Sequence, residues 1–233
     1  MALSLLKTMM MKLFSDRQMA ADLLVEFLRD KVGPDTLVLA LPRGGAPLAW
    51  QVANSLHLDW DIFPVKKIGS PTQEELAIGA IGEAHRPLWN ENMLELLGLP
   101  RSRLEELANA TWSRVQAQAQ KLRDGRKSAL IEGRRILIVD DGMATGFTMK
   151  AAVLSVRNQG ALAVSVAAPV SSQSALGLLS EVADQVWVLE APEPFWAVGQ
   201  WYEDFPPVTD SEVIRLLKSS RTWRKASSPP TPP

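Results

Sequence analysis

Short, continuous apolar runs separated by stretches of helical spacing constrain the fold of this chain more than any other feature of its sequence. Thr36–Leu41 and Arg135–Val139 are such runs, and they are typical of strands buried on both faces of a parallel sheet. Asp16–Asp30 and Thr148–Asn158 have apolar residues at helical spacing. Strands that alternate with helices predict an α/β fold with a mainly parallel sheet.

The remaining elements predicted from the sequence follow the same alternation. The further strands are Asp61–Lys67, Leu76–Ile81, Ala161–Ala168 and Gln185–Leu189. The further helices are Ala46–Leu56, Glu91–Leu97, Arg101–Lys121 and Ser174–Val182. Pro64 argues against a central position for the strand that contains it, because proline cannot donate to a sheet.

Length and composition limit the classes of protein to consider. A chain of 233 residues predicts one domain, and a net charge of −1 does not favour nucleic acid as a partner. The absence of cysteine excludes disulfides and thiolate metal sites, and only His57 and His85 could supply imidazole ligands. Any metal should therefore be a hard ion on oxygen ligands.

The two ends of the chain differ in character from the rest. The apolar N-terminal stretch is interrupted by Lys7 and Lys12, so it does not approach the ~20 apolar residues that span a bilayer. No secretory signal is recognised there, and we expect a cytoplasmic protein without a membrane partner. We expect an N-terminal extension over 1–13, one domain over 14–220, and a disordered Ser- and Pro-rich tail over 221–233.

The segment from Arg135 to Met149 carries the most specific chemistry. A buried strand ends in Asp140 and Asp141, at the edge where ligands bind in open α/β sheets. A glycine-containing turn and then a helix follow, and the free N–H groups at a helix start can face an anion. The turn residues that would form this phosphate cradle are Gly142, Met143, Ala144, Thr145, Gly146, Phe147 and Thr148.

Two acids beside a phosphate cradle need a function of their own, because carboxylates repel phosphate. Accepting hydrogen bonds from neighbouring ribose hydroxyls is such a function, and each charged hydrogen bond contributes roughly 1.5–3 kcal/mol. The alternative interpretation is an acidic turn at a strand end, followed by a helix cap. That alternative would be preferred for an isolated Asp-Asp-Gly, but the complete pattern favours ligand binding.

The whole segment resembles the phosphoribosyl-pyrophosphate motif of type I phosphoribosyltransferases: four hydrophobic residues, two acids, and a Gly/Ala-Thr-Gly turn. The resemblance implies that Asp140 and Asp141 hold the ribose 2′ and 3′ hydroxyls, and that the turn after them holds the 5′-phosphate. Two departures are notable. Ala144 stands where some purine-specific relatives have an acid that acts toward the base, which argues weakly against 6-oxopurine chemistry. Phe147 is bulky where small residues are common.

A second loop resembles the pyrophosphate loop of the same family. In Leu41–Gly45 (LPRGG) a strand ends before a helix, Gly44 allows close backbone approach, and Arg43 supplies a forked cation. The alternative is an ordinary strand-to-helix turn with a surface arginine. Lys66 and Lys67 end the second predicted strand, where family members often have a basic residue facing pyrophosphate. Since side chains alternate along a strand, only one of the two should face the site, and the sequence does not decide which.

Further pieces are similar to one group of predicted phosphoribosyltransferases. They are Phe14–Arg17, Leu39–Gly45, Lys67–Gly69, Glu75–Ala80 and Phe195–Tyr202. The resemblance implies a five-stranded parallel core sheet flanked by helices, a mobile loop over the site and a small hood that selects the base. We expect the long loop and helical insertion at about 69–130 and the hood at about 191–216. The aromatic residues of the hood would stack on a planar base or, alternatively, pack on the core or on a second subunit.

The function implied is Mg²⁺-dependent transfer of a phosphoribosyl group from phosphoribosyl pyrophosphate to a nitrogen acceptor, a nucleobase above all, with release of pyrophosphate. Arg43, Asp140 and Asp141 would be the catalytic residues. Mg²⁺ would bridge pyrophosphate and ribose oxygens, with Asp140 or Asp141 reaching it only through water. A homodimer is compatible with this interpretation. The alternatives are a regulatory protein that senses the same metabolite without turnover, and a phosphatase or phosphorylase acting on a related phosphorylated ribose.

Overall fold

Five parallel strands form the central sheet of the computed structural model, which describes residues 12–73 and 76–219. These strands are β1 (Leu37–Ala40), β2 (Asp59–Ile62), β6 (Arg135–Val139), β7 (Ala163–Val170) and β8 (Gln185–Glu190). Their spatial order in the sheet is β2–β1–β6–β7–β8. Every neighbouring pair in the sheet is parallel. The parallel five-stranded core expected from the sequence is confirmed.

Helices cover both faces of this sheet. The helices of the described residues are α1 (Arg17–Leu28), α2 (Ala46–Ser55), α3 (Glu91–Leu97), α4 (Arg101–Arg123), α5 (Phe147–Arg157), α6 (Gln173–Ser180) and α7 (Asp210–Ser219). Of these, α3 and most of α4 pack against a second, smaller sheet. On β1, Val38 and Ala40 belong to a core shared with α1, α2 and α7, whereas Leu37 and Leu39 belong to a core shared with α5 and α6. Alternate side chains of one strand thus enter two cores, which explains its uninterrupted apolar sequence.

The helix α7 was not predicted from the sequence. Val213, Leu216 and Leu217 are buried on one side of it against the core that contains α1 and α2. Their spacing of three and four residues is the signal that would have revealed the helix. The predicted tail and most of the predicted N-terminal extension lie outside the described residues.

The predicted strand Asp61–Lys67 is wrong, because it combines parts of two strands in different sheets. The first, β2, ends at Ile62, and Phe63 makes one more backbone hydrogen bond to Ala40 before Pro64, which has no N–H to donate. The chain then leaves the central sheet. Lys66 and Lys67 consequently begin a new strand instead of ending the second strand of the core.

That new strand belongs to a three-stranded antiparallel sheet made of β3 (Lys66–Gly69), β4 (Ala77–Ile81) and β5 (Leu88–Trp89). The strand predicted at Leu76–Ile81 is confirmed as β4. Ile68, Ile78 and Ile81 pack against residues of α3 and α4 in a separate small core. The stretch expected as a long loop with helices therefore carries its own sheet. The mobile loop expected over the site falls in this stretch, where Glu74 and Glu75 lie outside the described residues.

A buried charge cluster joins this smaller sheet to the central one. Arg123, at the end of α4, places Nε 3.1 Å from both carboxylate oxygens of Asp61 on β2. Its Nη1 donates to Oε2 of Glu83, just after β4, at 2.6 Å. The Arg123 side chain is 6% exposed and that of Asp61 is 1% exposed, so neither charge can be solvated if its partner is removed.

We therefore predict that Arg123→Met destabilises the protein strongly, by about 3–5 kcal/mol, because it leaves two carboxylates unpaired at the junction. The free energy of unfolding measured in urea would show this. Arg101→Ala is the matched control, since Arg101 forms an exposed i,i+4 pair with Glu105 that contributes less than about 1 kcal/mol. Equal effects of the two substitutions would show that the Arg123 cluster is not a structural junction.

Candidate active site

Two loops meet at the carboxyl edge of the central sheet because β1 and β6 are neighbours in parallel register, with Ala40 opposite Val139. The Leu41 N–H donates to the Val139 carbonyl at 3.0 Å, which continues the pairing into the loops. A side chain on Gly45 would come within 2.5 Å of the Val139 carbonyl oxygen. A side chain on Gly44 would collide with the carboxylate of Asp141.

The two glycines thus allow the loop after β1 to lie directly against the acids after β6. Of the residues predicted for the site, the structure brings Gly44 and Asp141 into contact across these loops, with Asp140 beside them. The peptide bond between Pro42 and Arg43 is cis.

Hydrogen bonds to the end of β7 and the residues just after it fix the backbone of the turn that follows the acids. The Met143 N–H donates to the Val170 carbonyl, and the Met143 carbonyl accepts from the Ser172 N–H at 2.9 Å. Ser172 Oγ donates to the Ala144 carbonyl at 2.6 Å. Since these contacts fix the backbone and the Met143 side chain is buried, Met143 and Ala144 can offer a ligand mainly their backbone.

The start of α5 has no side-chain cap. Gly146 precedes the helix with φ +73°, a left-handed conformation that suits glycine, and no side chain accepts from the first amides. Thr145 is exposed and Thr148 is half-buried beside this helix start. The Phe147 side chain is 51% exposed, so it points away from the core. Uncapped amides with two threonine hydroxyls beside them form a suitable site for a phosphate group.

Asp140 and Asp141 form an electrostatically unfavourable pair. The Asp141 N–H donates to Asp140 Oδ1 at 2.9 Å. Burial and the adjacent charge of Asp141 raise the pKa of Asp140 well above its usual range. Burial also raises the pKa of Asp141, although Arg17 opposes this rise. Carboxyls with strongly perturbed pKa values are frequent at functional sites.

Arg17, for which the sequence predicts no role, and Tyr202, predicted only as an aromatic residue of the hood, both contact Asp141. Arg17, at the start of α1, places Nε and Nη2 each 2.9 Å from Asp141 Oδ2. The Tyr202 hydroxyl donates to the backbone carbonyl of Asp141 at 2.6 Å. Both residues lie in pieces that resemble the phosphoribosyltransferase group, and this is the one signal that could have identified them.

The predicted pyrophosphate cation, Arg43, is exposed and directed at α7. Its Nη1 lies 3.3 Å from Asp210 Oδ1, and Lys121 Nζ lies 2.7 Å from Asp210 Oδ2. The hydrogen bond from Lys121, and then that from Arg43, lowers the pKa of Asp210. Two cations therefore converge on one carboxylate beside the glycine loop, and a pyrophosphate group could replace that carboxylate.

Lys66 and Lys67 are placed on the smaller sheet. Lys66 is half-buried and lies on the same side of β3 as Ile68, which packs against α4, whereas Lys67 is exposed on the other side. The alternation expected for these two lysines is present. Within residues 12–73 and 76–219, the structure shows no ion pair for either.

The segment after β8 covers one side of the turn Gly142–Thr148, which we name the phosphate turn after its predicted ligand. A side chain on Gly142 would collide with Val198, so this segment lies directly against the turn. Trp201 and Tyr202 are buried in a core with Phe14. Trp196 is 66% exposed. The packing alternative therefore describes Trp201 and Tyr202, whereas Trp196, two residues before Val198, has an exposed aromatic ring.

Neither a metal cluster nor a membrane span is found in the described part of the chain. Among residues 12–73 and 76–219, no three His, Cys, Asp or Glu side chains are grouped closely enough to hold a metal ion. No helix described there is both long enough and apolar enough to cross a bilayer. A metal at this site would therefore need oxygens from a ligand or from water.

The fold, the acidic turn and the glycine loop together define a protein of the type I phosphoribosyltransferase class, and comparison with known proteins agrees. Residues 17–199 match the phosphoribosyl transferase domain family. The crystal structure of TT1426 from Thermus thermophilus is 38% identical, with a TM-score of 0.79 over 88% of this chain and 97% of that chain.

Two relatives from strains of Mycobacterium tuberculosis carry the provisional name phosphoribosyl transferase. Each is 39% identical over 219 residues, which is 94% of this chain but 49% of the relative. The chain thus spans about half the length of these relatives. With more than half of its residues matched by the family model, this chain belongs to the phosphoribosyl transferase family.

The raised pKa of Asp140 predicts that this residue lowers stability at neutral pH. When the pKa of a carboxyl is higher in the folded than in the unfolded chain, the folded state loses stability as the pH rises through the folded-state pKa. Asp140→Asn keeps an oxygen that can accept from the Asp141 N–H and removes the repulsion. We expect it to raise the melting temperature at pH 7, with the gain shrinking as the pH falls toward about 4.

Calorimetric melting curves between pH 4 and pH 8 would measure this difference. Glu26→Gln is the control, because Glu26 forms an exposed pair with Arg29 on the surface of α1. A constant difference between Asp140→Asn and the unmodified chain across this pH range would contradict the electrostatic account.

Proposed function

We propose that this protein is a phosphoribosyltransferase that transfers the 5-phosphoribosyl group of phosphoribosyl pyrophosphate to a nitrogen acceptor and releases pyrophosphate. The observation that carries the proposal is the contact between the two loops at the carboxyl edge of the sheet. It places Asp141 against Gly44, beside the uncapped start of α5. Membership of the family supports the same reaction class.

Each part of the donor matches one part of the site. The amides of the turn, with Thr145 and Thr148, would bind the 5′-phosphate. Asp140 and Asp141 would accept hydrogen bonds from the ribose hydroxyls. The backbone around Gly44 and the Arg43 side chain would bind pyrophosphate, with a lysine at the start of β3 as a further cation. Catalysis would come from stabilising charge on the departing pyrophosphate and on the cation-like ribose.

Magnesium fits this set of groups. The carboxylates of Asp140 and Asp141 are hard oxygen ligands, and the donor supplies phosphate and ribose oxygens. Two protein carboxylates alone do not complete an octahedral site, and Mg²⁺ usually keeps several waters. Asp140 or Asp141 would therefore hold the ion through water. When bound, Mg²⁺ neutralises part of the charge that builds up on pyrophosphate.

A nucleobase is the acceptor that the site supports best. The segment at about 191–216, which we propose as the hood of a domain over 14–220, lies against the phosphate turn through Val198 and exposes Trp196. An exposed aromatic ring in this segment suits stacking on a planar base. The absence of an acid at Ala144 argues weakly against 6-oxopurines. Cytoplasmic location and assembly as a homodimer are further predictions, and sedimentation of the purified chain tests the second.

The first functional prediction concerns donor binding. Titration calorimetry with phosphoribosyl pyrophosphate and Mg²⁺ should show saturable binding. The double substitution Asp140→Asn and Asp141→Asn should weaken binding by about 100-fold or more, because several charged hydrogen bonds are lost. A single cooperative melting transition of the double variant would show that the fold is intact.

A paired screen of nucleobases and other amines for pyrophosphate release separates enzyme from sensor. Absence of any heat or thermal shift at millimolar donor would contradict the proposed function. Donor binding without pyrophosphate release from any acceptor would favour a regulatory protein that senses this metabolite.

The second functional prediction concerns Arg43. Its pair with Asp210 is largely exposed, so exchange of the carboxylate for pyrophosphate would cost less than about 1 kcal/mol. Arg43→Ala should weaken phosphoribosyl pyrophosphate binding by about tenfold or more and leave ribose 5-phosphate binding nearly unchanged. Arg43→Lys should restore only part, because lysine lacks the planar fork.

Arg29→Ala is the control for this measurement, since Arg29 also forms an exposed ion pair but lies just after the end of α1. Equal losses for the two ligands in Arg43→Ala would place Arg43 outside the pyrophosphate site.

A further inference from the structure

We propose that Arg17 is a positioning residue for ribose recognition: it fixes the carboxylate of Asp141 in the orientation that the ribose hydroxyls require. The inference rests on the proposed function and adds to it a residue 124 positions away from the acidic motif in sequence. It also gives the first turn of α1 a role in the site.

The geometry of the ion pair supports an orienting role. Nε and Nη2 of Arg17 both bond to one oxygen of Asp141, Oδ2, at 2.9 Å. The pair fixes the carboxylate without using Oδ1. Both side chains are 12% exposed, so this pair is far more shielded from solvent than the Arg43–Asp210 pair.

Arg17 is itself held on several sides. The N-terminus of α1 is fixed by Asp16, whose Oδ1 accepts from the Met19 N–H at 2.8 Å. Nη1 of Arg17 donates to the Pro206 carbonyl at 2.7 Å, and the guanidinium carbon lies 3.7 Å from the centre of the Phe205 ring. A guanidinium with this many contacts has few alternative rotamers and can impose its orientation on its partner.

The same C-terminal segment holds the backbone of Asp141. Phe205 stacks on Tyr202 with ring centres 4.7 Å apart, and the Tyr202 hydroxyl donates to the Asp141 carbonyl. Arg17 therefore holds the Asp141 side chain, and Tyr202 holds its main chain. The two holding groups are themselves connected, because Arg17 contacts Phe205 and Pro206, just after Tyr202. Backbone and carboxylate are fixed together, as a preorganised binding group requires.

Stability alone does not explain this arrangement. A buried ion pair is weak evidence for stability, because apolar residues of similar size often serve as well. Here the guanidinium acts on the second acid of the ribose motif, next to Asp140, and its charge offsets the repulsion between the two carboxylates. A cation at this place favours carboxylates that act as strong acceptors for hydroxyl groups.

The test compares ligands that differ by a single hydroxyl. Calorimetry would measure binding of ribose 5-phosphate, of its 2-deoxy and 3-deoxy analogues, and of inorganic pyrophosphate, to the full chain with and without Arg17→Gln. We expect Arg17→Gln to weaken ribose 5-phosphate about tenfold or more. The analogue that lacks the hydroxyl facing Asp141, and pyrophosphate, should bind as before, so discrimination between ribose and that analogue collapses. Arg17→Lys should restore part of it.

Arg29→Gln, an exposed position just after the end of α1, should leave every affinity unchanged. Equal weakening of all four ligands, or unchanged discrimination, would overturn the role of Arg17. If Arg17→Gln does not fold, Arg17→Lys is used for the test, because it keeps the charge but cannot make both bonds to Oδ2. Unchanged discrimination between ribose 5-phosphate and its deoxy analogue in that variant would equally overturn the role of Arg17. Absence of ribose 5-phosphate and donor binding in the unmodified chain would instead refute the proposed function, and the role of Arg17 with it.

Discussion

The parallel pairing of β1 with β6 is the contact on which the candidate site depends. It brings together two strand ends that are about a hundred residues apart in sequence, and it continues into the loops through the hydrogen bond from Leu41 to Val139. Gly44 and Gly45 then determine how closely the loops approach, since any side chain there would collide with Asp141 or with the backbone after β6. A shift of one residue in this register would turn the acids toward the opposite face of the sheet.

The acid pair shows how this site retains an interaction that disfavours folding. Two carboxylates lie next to each other in a partly buried turn, and the pKa of each is raised by burial. The charge of Arg17 partly compensates the pair, and the Tyr202 hydroxyl donates to the Asp141 backbone carbonyl beside it.

The smaller antiparallel sheet is joined to the central sheet by a buried charge cluster and by the helix α4, whose Leu122 lies in a core of the central sheet. Its own core of Ile68, Ile78 and Ile81 is separate from the two cores of the central sheet. Arg123 bridges the two units through Asp61 and Glu83. Because a charge cluster requires defined geometry, it specifies how the smaller sheet is oriented on the larger one, whereas apolar packing would tolerate more variation.

The sequence by itself determined four of the five central strands, most of the helices and the position of the two site loops. Continuous apolar runs, the glycines of the two loops and the adjacent acids Asp140 and Asp141 are local features, and each has one dominant physical explanation. Only the tertiary structure decided that Lys66 and Lys67 belong to a second sheet, that Arg43 faces Asp210 and that Arg17 holds Asp141. These are contacts between distant segments, and no local spacing encodes them. They depend on where Pro64 ends a strand and on how α1, α7 and the segment after β8 pack around the edge of the sheet.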